Sequence, residues 1–118
     1  MKVAVGQAPV ADLVTAALEG VGGTAVLDLM SGDPDEEPDH YAVGSPQALL
    51  PVPDVRFTLV HGDADDKVPL QQSTAYVEAA RALGMDVAIR VLEGVGHFEH
   101  LDPDSVAAAA MRTALDDL

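Results

Sequence analysis

The sequence has no cysteine and no tryptophan, and two tyrosines and two phenylalanines are its only aromatic rings. Without cysteine there are no disulfides, no thiolate metal sites and no cysteine nucleophile. With so few rings, the core must be built from Val, Leu and Ala around Tyr41, Phe57, Tyr76 and Phe98. Basic residues are scarce too: six Lys and Arg stand against twenty Asp and Glu, a formal net charge of −14. Such a field repels phosphate backbones and anionic headgroups, so neither nucleic acid nor a membrane surface is expected as a partner. No stretch is long and apolar enough to span a bilayer. The first six residues lack the apolar run of a secretion signal, and a cytoplasmic setting is the expectation.

The 118 residues, 48% hydrophobic, fit one domain over 1–118. Residues 2–8 read as a strand stopped by Pro9. Asp12 caps a short helix over 13–19, ended by Gly20, and Thr24 caps a second through Met30. Residues 31–40, acidic and broken by Pro34 and Pro38, read as a mobile loop. Their spacing lacks the calcium-loop pattern, and no metal is expected there. Ser45-Pro46 looks like a helix start, with serine as cap. Residues 56–61 are β-prone, and residues 70–83 turn helical, with Tyr76, Ala79, Ala80 and Leu83 on one face and Gly84 as the stop. Residues 86–92 alternate as a third strand. Asp102-Pro103 opens a last helix whose apolar seam is Val106, Ala110, Met111 and Leu115, and whose end is expected to fray at Asp116 and Asp117. Strands alternating with helices imply an α/β three-layer sandwich on a short parallel sheet.

Parallel sheets bind ligands beyond the carboxyl ends of their strands. Two segments fall there. One is Gly62-Asp63-Ala64-Asp65-Asp66-Lys67-Val68-Pro69; the other is Gly94-Val95-Gly96-His97-Phe98. An aspartate and a histidine on neighbouring strand ends can meet, the carboxylate holding one ring proton while the other nitrogen serves as base. Asp65 and His97 have room between them for the one helix and one strand that a crossover needs. His61 reads as a strand end, partly buried, and His40 as surface. His100, Glu99 and Asp102 are a possible oxygen–nitrogen metal set, outweighed by a solvated loop. Lys67 stands among aspartates that keep it charged and non-nucleophilic.

The first segment resembles the G-x-x-D-x-x-V-P signature of α/β-hydrolases, and the second resembles the loop bearing their triad histidine. Ala8-Pro9-Val10-Ala11-Asp12-Leu13 and Tyr41-Ala42-Val43-Gly44-Ser45-Pro46 resemble segments of the esterase and acyl-peptidase-like branch, in the same order. The resemblance covers nearly the whole chain. It implies the C-terminal portion of the α/β-hydrolase fold, with Asp65 as triad acid, His97 as triad base and no cofactor. The family's G-x-S-x-G nucleophile elbow has no counterpart among these residues. None of Ser31, Ser45, Ser73 and Ser105 sits in such an elbow.

The expected activity is therefore weak, broad ester hydrolysis, extending to amides or thioesters, by an Asp-His dyad on a small-molecule substrate. Its nucleophile would come from water, another chain, or a serine brought near by dimerisation. The alternative is a non-catalytic half-domain that acts by assembly, with the dyad idle. By resemblance the first strand also lacks a neighbour. A homodimer or a complementing N-terminal hydrolase half would cover that edge, and the isolated chain is expected not to be a stable monomer.

Overall fold

A computed structural model describes residues 2–117. Three strands carry the architecture: β1 (Lys2–Gln7), β2 (Val55–Gly62) and β3 (Asp86–Leu92). They lie parallel in the order β1-β2-β3, with Gly6 opposite Leu59 and Leu59 opposite Ile89. Between β1 and β2 the chain forms α1 (Leu13–Glu19), α2 (Ala25–Met30), α3 (Pro38–Gly44) and a 3-10 turn at Pro46–Leu49. α4 (Leu70–Ala82) joins β2 to β3, and α5 (Val106–Asp116) closes the described chain.

Side-chain alternation along the strands separates the layers. Phe57 and Leu59 of β2 and Val87 and Ile89 of β3 point to one face, where they pack on Tyr76, Val77 and Ala80 of α4. Phe57 meets Tyr76 edge to face at 6.2 Å. Arg90 points to the other face and donates to Asp117, just past α5, at 2.6 Å. So α4 and α5 cover opposite faces, which is the three-layer arrangement expected. A second apolar cluster lies under the long crossover. It joins Leu13 and Ala16 of α1, Val26 and Met30 of α2, Tyr41 of α3, and Val68 from the turn after β2.

Several local expectations need correction. Residues 31–40 are not all loop: α3 begins at Pro38, which tolerates the first helical turn because no N–H is required there. Residues 33–37 are ordered by their own acids. Asp33 accepts from the N–H groups of Asp35 and Glu36, and Glu36 accepts from the N–H of Asp33. The Tyr41 hydroxyl donates to the Gly32 carbonyl at 2.8 Å. Thr24 caps nothing; its hydroxyl donates to Asp28. Ser45 does not cap the turn it precedes. Its buried hydroxyl accepts from the N–H of Leu13, at the start of α1. Asp12 caps α1 as expected, accepting from Thr15.

α5 starts at Val106, not at Asp102-Pro103, because Ser105 supplies the cap by accepting from the N–H of Ala108. Its expected seam is also wrong. Ala107, Ala108 and Ala114 are buried, while Val106 and Leu115 are 69% and 54% exposed. Small side chains let the helix backbone approach the sheet, and the larger ones turn outward. Leu83 likewise lies outside the buried stripe of α4, 53% exposed. Asp117, at the helix end expected to fray, accepts a hydrogen bond from Arg90 of β3.

Gly62 ends β2 where the Val95 carbonyl crosses it. A Cβ there would overlap that carbonyl. Gly62→Ala is therefore expected to force the two strand-end loops apart and to destabilise the fold by about 1–3 kcal/mol. Urea denaturation compared with wild type measures this, and an unchanged midpoint would refute the tight crossing.

Candidate functional site

The turn after β2 and the loop after β3 are tied into one unit. The N–H of Asp63 donates to the Leu92 carbonyl at 3.0 Å, and the N–H of Ala64 to the Val95 carbonyl at 3.1 Å. The Asp63 carboxylate accepts from the N–H of Gly94 at 2.7 Å. Gly94 takes a left-handed φ of 71°, which a side chain would strain. Asp63, which matches no functional position of the resemblance, is thus a brace between the loops.

This brace brings Asp65 and His97 together. His97 Nδ1 lies 2.7 Å from Asp65 Oδ2. The Asp65 side chain is fully buried, and that of His97 is one quarter exposed. Asp65 Oδ1 also accepts from the N–H groups of Lys67 and Val68, both at 2.9 Å. Burial alone would push the Asp65 carboxyl up. The donors outweigh it: the N–H of Val68, the His97 ring and the N–H of Lys67 together hold the carboxyl below its ordinary range. A carboxylate on Nδ1 places the His97 proton there. Nε2 then keeps its lone pair, with no protein partner among the described residues.

His61 lies beneath this pair and is fully buried. One proton on Nε2 satisfies its ring. Nε2–H donates to the Val68 carbonyl at 2.9 Å, and Nδ1 accepts from the Ser73 hydroxyl at 2.7 Å. Nε2 is 3.3 Å from Asp65 Oδ2, a longer, secondary contact. His61 is thus more deeply enclosed than its position at a strand end indicates, and it acts as the floor of the site. Only the chain reversal at Val68 makes this visible. In sequence, His61 and Ser73 carry no shared signal.

The remaining candidates are dispersed or occupied. Ser73 is held by His61, Ser45 by the start of α1, and Ser105 by the Glu99 and Asp102 carbonyls and the α5 cap. Ser31 is the exposed C-cap of α2. Glu99 accepts from the N–H of Gly96, and Asp102 from that of Asp104, so neither converges with His100. Among the described residues no three His, Asp or Glu side chains form a metal-binding group. Both ring nitrogens of His100 are buried without a protein partner. Burial, then the nearby His97, holds its pKa below the usual histidine value.

His97 lines a cleft of about 420 Å³. Its walls are apolar: Leu13 from α1, Val26 and Leu29 from α2, and Val68 and Phe98 from the two loops; Lys67 also lines it. The volume suits a small organic molecule. Another buried side chain supports the wall from behind. Gln72 of α4 accepts from the N–H groups of Ala11 and Asp12 and donates to the Asp12 carbonyl, which fixes the entry to α1.

Asp65→Asn keeps the volume but loses a charged acceptor. At neutral pH it is expected to cost about 1–3 kcal/mol. The folded carboxyl titrates below the ordinary value of 3.8, so its stabilisation is present above that value and is lost as pH falls through the folded one. The gap between wild type and Asp65→Asn should therefore close in strong acid. Thermal melts from neutral pH to pH below 3.8 check this, and a gap constant with pH would refute it.

Known structures share this arrangement of elements. A dipeptidyl peptidase 4 from Porphyromonas gingivalis matches with a TM-score of 0.76 at 21% identity, over 98% of this chain and 16% of that one. An acylaminoacyl peptidase from Pyrococcus horikoshii matches with a TM-score of 0.75 at 20% identity, over 97% of this chain and 18% of that one. The esterase Est2 from the Planctomycetes species Thermogutta terrifontis matches with a TM-score of 0.71 at 21% identity, over 98% of this chain and 41% of that one. The chain thus spans less than a fifth of the two peptidases and about two fifths of the esterase. At this level of identity the likeness is one of fold, that of the α/β-hydrolases. No curated protein sequence is detectably similar. The family model for prolyl oligopeptidases matches residues 1–115, and the chain belongs to the prolyl oligopeptidase family.

Proposed function

We propose that residues 1–118 work as one domain supplying the acid and base of a hydrolase that cleaves small esters, extending to amides or thioesters. The observation that carries the reading is the 2.7 Å contact between buried Asp65 and His97, with His97 lining an apolar cleft. In this reading Nε2 takes the proton of an attacking hydroxyl, from water or a serine, as the oxygen bonds to the substrate carbonyl. Asp65 stabilises the imidazolium that forms. The acyl–oxygen bond then breaks, and the leaving alkoxide takes the proton back from Nε2; where serine attacked, water releases the acyl group from it by the same two proton transfers. The hydrogen-bonding of Ser45, Ser73 and Ser105 supports a nucleophile from outside these residues. Water alone would give slow turnover, since an oxyanion donor is worth about 10²–10³ in rate.

The sheet edge supports a second polypeptide. β1 pairs with β2 on one side, and Val3 on it is 41% exposed. An unpaired apolar edge is a template for strand addition. Either a second copy or a nucleophile-bearing partner would satisfy it.

Two measurements follow. Hydrolysis of an activated ester should fall by at least about 10²-fold in His97→Ala at matched folding, as judged by circular dichroism. Equal rates would mean the histidine is idle and would favour the non-catalytic, assembly-only reading. Light scattering behind a sizing column should give a dimer mass for the purified chain at micromolar concentration. A well-folded monomer would remove the case for an edge-joined copy.

A further inference from the structure

Lys67 stands out in a chain with so few cations. The six basic residues are Lys2, Arg56, Lys67, Arg81, Arg90 and Arg112. Arg56 pairs with Asp86, and Arg90 with Asp117. Arg81 donates to the Val87 carbonyl, and Arg112 to the Pro103 carbonyl. Lys2 opens β1, at the opposite end of the sheet from the site. The Lys67 ammonium has no hydrogen-bond or ion-pair partner among the described residues, and Lys67 lines the same cleft as His97. Its backbone is fixed, because its N–H donates to Asp65. The stem therefore starts from a defined point beside the dyad. Of the aspartates around it, Asp65 is committed to His97 and Asp63 to Gly94, which leaves only Asp66 uncommitted.

We propose that Lys67 selects anionic substrates: the cleft takes an ester or amide whose aliphatic part lies against Leu13, Val26 and Leu29 and whose free carboxylate pairs with the Lys67 ammonium. This rests on the hydrolase reading and names its substrate class. The physical argument is local against global charge. A molecule at −14 repels anions over most of its surface, so an anionic ligand is held only where a free cation meets an apolar wall. The rest of the cleft lining, apart from His97, carries no ionisable side chain, so nothing else in it selects by charge. Lysine suits the role as a mobile point charge on a flexible stem, able to follow ligands of differing length.

The test is binding, so it does not depend on turnover. Hexanoate and the isosteric neutral hexanamide are titrated into the full chain at low ionic strength, followed by backbone amide shifts at Val26, Leu29, Lys67 and His97. Hexanoate should bind about two- to fivefold tighter than hexanamide, the upper part of the range of an exposed ion pair. The preference should shrink toward parity at high salt. Lys67→Met should abolish it and Lys67→Arg should keep it, with unchanged circular dichroism in both. Equal affinity for the two probes in wild type, no shifts at the cleft, or a preference that survives in Lys67→Met would each overturn the proposal. Hydrolysis lost in His97→Ala alongside equal binding of the probes would refute Lys67 as the selector and leave the hydrolase reading standing. The preference for hexanoate without His97-dependent hydrolysis would do the reverse.

Discussion

The carboxylate of Asp65 is the point on which the site's geometry depends. One oxygen closes the turn after β2 by taking the N–H groups of Lys67 and Val68; the other aligns His97 from the loop after β3. A carboxylate taken fully out of water is costly unless donors replace its hydration. Here three donors do so, and they come from two separate chain segments. The same contacts that make the burial tolerable also fix the ring that lines the cleft. Folding and positioning are thus one electrostatic arrangement, and the turn cannot loosen without exposing or unpairing the charge.

Val68 carries this arrangement into the rest of the molecule. Its N–H serves Asp65, its carbonyl serves His61, and its side chain packs into the cluster of Leu13, Val26 and Tyr41. The helices of the long crossover are short, and isolated helices of that length do not persist in water. They hold through this cluster and through long-range polar ties, such as Ser45 to Leu13 and Gln72 to the segment before α1. The wall of the cleft and the turn that holds the dyad therefore share one packed element. Displacement of α1 or α2 would be felt at Asp65 through Val68.

The surface shows a different balance. Large apolar side chains are exposed at Phe98, Leu101 and Val106, along the segment that runs from His97 into α5. The buried face of α5 is made of alanines, which give close approach but little apolar area. The acidic surface adds self-repulsion, and the cations that form ion pairs, Arg56 and Arg90, sit at exposed positions where such pairs contribute little.

The three strands and their order along the chain, the parallel sheet, and Asp65 and His97 as a meeting pair were legible in the sequence. Each rests on local signals: alternation in 86–92, glycines at strand ends, and aspartate and histidine one crossover apart. α3 was hidden because the proline that starts it reads equally well as a loop breaker. The α5 seam was misread because periodicity cannot tell a helix that buries alanines closely from one that buries leucines loosely. Asp63 as a brace, Ser45 as a distant cap, and His61 with Ser73 as the floor of the site depend on contacts between residues 12 to 32 positions apart. Only the tertiary structure decided these, because a buried polar group takes whichever partner the packed chain brings within hydrogen-bond reach, and no local pattern records which one that is.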